Sequence, residues 1–218
     1  MTVRSRFTDQ ELEAIRSATQ EAETETGGEL VCVIVNRCDS YLAPVWQAAA
    51  FGSVGGAAAA GIAYASLDSW VLTPYLWILM PALIGAALGL LTVWLVPPAH
   101  RWLTPAPVLA RRVDRRAAAA FLDEEIFNTR DRTGVLLFVA LFEHQIRILP
   151  DRGVEKRVPE ESWQEIASRL SAGLRGGRPG EAIVEAIHGC GKLLVEHGVG
   201  RRQDDENELA DEPRLSDE

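Results

Sequence analysis

Residues 46–96 read WQAAAFGSVGGAAAAGIAYAS (Trp46–Ser66), LDSW (Leu67–Trp70) and VLTPYLWILMPALIGAALGLLTVWLV (Val71–Val96). Each outer stretch is long enough to cross a bilayer as a helix, which takes about 20 mostly apolar residues. Only four residues separate them, so the chain is expected to enter, turn and return. Residues before Trp46 and after Val96 then lie on one side of a membrane and can fold together. The hairpin interrupts a soluble domain instead of preceding one. No ionisable residue sits deep in either span, which argues against a channel or a proton relay. Asp68 falls in the turn, at headgroup level.

Orientation follows from the cationic residues near the membrane ends. The turn has none, whereas Arg101, Arg111, Arg112, Arg115 and Arg116 follow the second span and Arg37 precedes the first. Both termini are therefore expected in the cytoplasm, with the arginines close enough to the surface to favour anionic lipid. Gly52 and Gly56 make one G-x-x-x-G and Gly85 and Gly89 another. Such small-residue faces let helices approach closely in lipid. They suit packing of the hairpin on itself or self-association between copies. Pro74 and Pro81 are candidate kinks in the second span.

The flanks are charged. The formal net charge is −9, with eight acidic and three basic residues between Arg201 and Glu218. That composition predicts a solvated, disordered acidic tail over 201–218, or a docking segment. The rest is only mildly acidic, so a nucleic-acid partner is not expected. The opening MTVRSRFTDQELEAI has no apolar run, so no secretory signal is expected there. Cys32, Cys38 and Cys190 form no C-x-x-C pair, which fits free thiols in a reducing compartment.

Thr8-Asp9-Gln10-Glu11 reads as a capping box, and Leu12, Ile15, Ala18 and Ala22 follow at helical spacing over residues 9–25. Glu29–Asn36 is β-branched and nearly all apolar, as in a strand buried on both faces. Val108–Phe127 predicts a long helix, Gly134–Phe142 a second buried strand, and Gln145–Leu149 its partner across Glu143-His144. Pro159 and Pro179 open two further helices; the first carries Trp163, Ile166, Leu170 and Leu174 on one face, and Gly198 stops the second.

No G-x-S-x-G, H-E-x-x-H or Walker loop occurs, and no catalytic residue is assigned. Gly176–Gly180 precedes a helix start, which suits a plain turn or a phosphate. His144 flanks Glu143 at a strand end, and His188 lies near Cys190. The polar stretch Asn128–Gly134 leads straight into a buried strand, where α/β sheets place sites. Asp131 and Asn128, with Asp151 and Glu143 assisting, are the candidate ligands for Ca2+ or Mg2+. The alternative there is an Asx turn that ends the helix.

Thr26-Gly27-Gly28-Glu29-Leu30 running into an apolar strand resembles the opening of TPM domains. So do Phe127-Asn128-Thr129 with Arg132-Thr133-Gly134-Val135, then Phe142-Glu143 with Pro150-Asp151-Arg152-Gly153, and the helices around Trp163 and Ile187. The resemblance covers about residues 7–36 and 108–198. It implies a small α/β/α sandwich with a central mixed sheet, here interrupted by the transmembrane hairpin. It also implies kinship with a subgroup of bacterial membrane proteins, and so a place in a bacterial inner membrane. Calcium binding and weak acid phosphatase activity are attributed to some members, but many of those are exported, with a single C-terminal anchor. A domain facing the cytoplasm meets little free Ca2+. The leading expectation is a non-enzymatic adaptor or maintenance factor for a membrane protein complex. The alternatives are a metal-dependent phosphatase, in which the metal would supply hydroxide, and a membrane-organising oligomer held by the hairpin.

Overall fold

Leu30–Val35 (β1) and Val135–Ala140 (β2) are buried at every position. Strands apolar on both faces must be covered on both, and that requirement organises the fold. The computed structural model describes residues 2–66, 74–95, 104–201 and 209–217. It divides into two units, Met1–Asp39 with Ala110–Glu218, and Ser40–Leu109.

The first unit holds a four-stranded mixed sheet in the order β3-β2-β1-β4, with β3 at Gln145–Pro150 and β4 at Arg214–Ser216. β1 runs parallel to β2, in register Leu30 to Val135, and parallel to β4; β2 and β3 are antiparallel. Helix α1 (Asp9–Glu25) begins with the expected capping box. With α6 (Glu160–Arg175) and α7 (Pro179–Glu196) it covers one face, where Ile15, Leu170, Ile183, Ile187 and Leu194 pack on Cys32, Ile34, Leu137 and Val139. Helix α4 (Ala106–Asp123) covers the other with Val113, Ala117 and Ala120, against Val33, Leu136 and Phe138. The α/β/α sandwich with a mixed sheet is thus the observed fold.

The tail differs from its expected disorder. Residues 202–208 lie outside the described residues, but Arg214–Ser216 form β4 on the edge of β1. The Asn36 N–H donates to the Ser216 carbonyl at 3.0 Å, the Val3 N–H donates to Asp217 Oδ1 at 2.6 Å, and Arg214 pairs with Glu124 at 2.8 Å. Composition alone misses this, because the driving force sits elsewhere in the chain. β1 presents a row of unpaired backbone groups on that side, and Leu215 supplies an apolar side chain to the core beside it.

The second unit contains α2 (Leu42–Ser66) and α3 (Pro74–Leu95). Val45–Ser66 and Tyr75–Leu95 are long and apolar enough to cross a membrane. The turn residues Leu67–Trp70, Pro97-Pro98 and Arg101 lie outside the described residues. Here the two G-x-x-x-G faces meet each other. A Cβ on Gly52 would lie 2.1 Å from the Gly85 carbonyl oxygen, one on Gly56 2.1 Å from that of Pro81, and one on Gly89 2.2 Å from that of Ala48. The glycines therefore serve packing of the hairpin on itself. Self-association through Gly52/Gly56 and Gly85/Gly89 would have to take these faces away from each other. Pro74 starts α3, and Pro81 lies within it.

Candidate functional site

The loop 128–134 enters β2 at the strand's N-terminal end, and the antiparallel return of β3 brings Asp151 back to the same end. Arg132, at φ 58°, joins them: its Nη2 donates to Asp151 Oδ1 at 3.1 Å, and its Nε lies 2.7 Å from Oδ2 in an ion pair. Asp151 is only 3% exposed and also accepts the Arg152 N–H at 2.7 Å, which caps the short helix α5 (Arg152–Glu155). The Gly153 N–H donates to the Arg132 carbonyl at 3.0 Å. A Cβ at Gly153 would stand 2.4 Å from the Asp131 carbonyl oxygen, so this approach requires glycine. Thr133 ties the loop to the start of β1, donating to the Gly27 carbonyl at 2.8 Å. Asn128 and Asp131 are exposed on the loop, and Asn128 donates to the Glu125 carboxylate at 3.3 Å.

Three of the four candidate ligands, Asn128, Asp131 and Asp151, thus share one end of the sheet. Glu143 does not. It sits in the β2–β3 turn, beyond the other end of a strand of six residues, roughly 20 Å away at 3.3 Å per residue. It is 1% exposed and accepts the Cys38 N–H at 2.9 Å, fastening the segment after β1 to the hairpin turn. Burial, with Glu143 adding to it, pushes the Cys38 thiol up, away from thiolate character. Among the described residues no three His, Cys, Asp or Glu side chains gather where they could hold an ion. A cation at the loop would have to displace Arg132 from Asp151.

Residues 108–193 match the family model TPM_phosphatase, TPM domain. The chain carries a TPM domain. The NMR structure of BA42 protein from the psychrophilic bacterium Bizionia argentinensis is similar in fold. Its TM-score is 0.57 and its identity 17%, over 95% of this chain and 94% of that one. No curated protein matches the chain. The family match begins after the hairpin, yet β1, one of the two inner strands of the sheet, comes from before it.

The remaining candidates in the TPM domain have structural partners. Gly180, at the start of α7, would meet Glu11 Oε1 at 2.6 Å with any Cβ, so a carboxylate of the chain itself sits against that helix start. His188 faces Glu21 at 3.3 Å, whereas Cys190 is fully buried, its thiol pushed up to about 12 by burial. His144 takes φ 51° in the β2–β3 turn.

Sequence reading missed Glu23. Burial, the largest cause, raises its carboxyl to about 9; the Leu30 N–H opposes this, and Glu29 and Asp211 add to it. The folded protein then keeps a proton that the unfolded chain releases from about 4.5 upward. Stability should fall as pH rises through that window. Glu23→Gln, neutral throughout, should flatten the fall, which thermal unfolding between about pH 5 and 9 will measure. Parallel curves for the two proteins would refute the assignment.

Proposed function

We propose that this protein is a membrane-anchored adaptor or maintenance factor, in which the TPM domain holds or tends a membrane protein complex without catalysis. The observation that carries the reading is the employment of the carboxylates. Asp151 is taken by Arg132 and the α5 N-terminus, and Glu143 by the Cys38 backbone, at opposite ends of β2. A phosphatase centre needs such groups held together around a cation. The hairpin supplies the anchor: Phe51, Ile62 and Trp94 are 71, 69 and 76% exposed on α2 and α3, an apolar surface suited to lipid. We place the hairpin in a bacterial inner membrane with both termini cytoplasmic, from the arginines that flank it.

Photo-crosslinking groups on exposed positions of the TPM domain, activated in native membranes, test the reading. A discrete adduct with a membrane protein is the expected result. A chain that stays alone while the purified protein releases phosphate from an aryl phosphate, with loss on a folded Asp131→Ala variant, would replace the adaptor with the metal-dependent enzyme.

A further inference from the structure

β3 is the outer strand of the sheet on the side away from β4. The Asp151 N–H donates to the Gly134 carbonyl. Antiparallel alternation then turns the backbone of Leu149, Arg147 and Gln145 toward β2 and that of Ile146, Ile148 and Pro150 outward. Two details agree. The Ile146 carbonyl accepts from the Arg147 guanidinium at 2.8 Å, and Pro150, with no N–H, occupies an outward position, as proline in an edge strand must. Between this edge and α6 runs a groove of about 910 Å3, lined by β3 residues, Val158 and Trp163. Trp163 is 5% exposed, and among the described residues its indole N–H has no acceptor. A buried indole N–H normally finds one. At the Pro150 end of the groove stand the exposed carboxylates Glu155 and Glu160. Of the groove-lining side chains, the guanidinium of Arg147 is engaged with Asp114 at 2.5 Å, which leaves Glu155 and Glu160 as the carboxylates an incoming cation would meet.

We propose that this groove binds an extended segment of a partner protein as a fifth strand on β3. An apolar side chain of that segment rests against Trp163, and a Lys or Arg meets Glu155 and Glu160. Strand addition takes its affinity from main-chain hydrogen bonds and its selectivity from alternate side chains. The outward N–H groups of Ile146 and Ile148 and the Ile148 carbonyl supply the first. The tryptophan and the glutamate pair supply the second. The inference rests on the adaptor reading and names the surface through which it works.

The full chain in lipid nanodiscs, panned against a displayed library of random dodecapeptides, tests it. Enriched peptides should alternate apolar and polar residues and carry a cation near one end. They should slow amide exchange at Ile146 and Ile148, and bind at least tenfold more weakly to Ile148→Pro, which removes an outward N–H along with a side chain packed on the core, in a variant shown by thermal unfolding to stay folded. The exposed pair Glu155→Lys with Glu160→Lys, which leaves the core untouched, should weaken binding as much. No enrichment, protection elsewhere, or binding indifferent to both variants would overturn the proposal. So would protection of β3 that grows with protein concentration without peptide, which would assign the edge to a second copy. Membrane crosslinks found only away from β3 would sink this inference and leave the adaptor standing; no crosslinks from any face would sink the adaptor itself.

Discussion

Phe138→Ala is expected to lower the stability of the sheet unit by about 3–5 kcal/mol, the usual cost of emptying a buried aromatic site. Phe138 is fully buried in the middle of β2, between Val33 on β1 and Arg147 on β3. The helix above it meets the sheet through Val113, Ala117 and Ala120. Alanines cannot swing in to fill a void, so the site has little means of collapsing. Domains of this size are stable by about 5–15 kcal/mol, so this one change would remove a large part of the margin. Urea unfolding of the detergent-solubilised protein, followed by far-UV circular dichroism, measures it, with Phe138→Leu recovering much of the loss. A cost below about 1 kcal/mol, the range of a surface change, would mean that α4 does not cover this face.

Ending the chain at residue 208 is expected to cost about 2–4 kcal/mol, at roughly 1 kcal/mol per hydrogen bond lost and a little more for the charged one. The losses include the Asn36–Ser216, Val3–Asp217 and Arg214–Glu124 contacts, the Gln20–Asp211 bond, the β4 pairing and the packing of Leu215. The larger effect should be on association. β1 would become a bare edge of six buried-type residues, LVCVIV, the kind of edge that pairs with another chain. Analytical ultracentrifugation should show oligomers that the full chain does not form. A truncated protein as stable and as monodisperse as the full chain would mean that β4 is incidental.

Much of the architecture was legible because local and global signals agree. The capping box at Thr8 and Glu11, the unbroken apolar runs of β1 and β2, and the short Glu143-His144 link each specify one outcome. The match to TPM domains followed from blocks of residues in order. What was illegible depends on partners far along the chain. Nothing in ADEPRLSDE says strand; β4 exists because β1 has an edge to fill. Nor could spacing show that Asp151 returns to Arg132 while Glu143 stays at the far end, since that depends on β3 running antiparallel to β2. The pattern of α1 did not single out Glu23, whose site also needs Leu30 and Glu29 at the start of the sheet and Asp211 in the tail.

The order in which the ribosome delivers this sheet differs from the order in which its strands lie. β1 is made first, the lipid-suited hairpin second, and β2, β3 and β4 last. Leu30 waits for Val135, an interval of several seconds at roughly 5–20 residues per second. Throughout that interval a six-residue apolar strand has no neighbouring strand and, of the helices that cover it, only α1. On the membrane-anchored reading proposed above, substitutions that delay entry of the hairpin into the bilayer should lower the yield of folded protein without altering the stability of molecules that succeed.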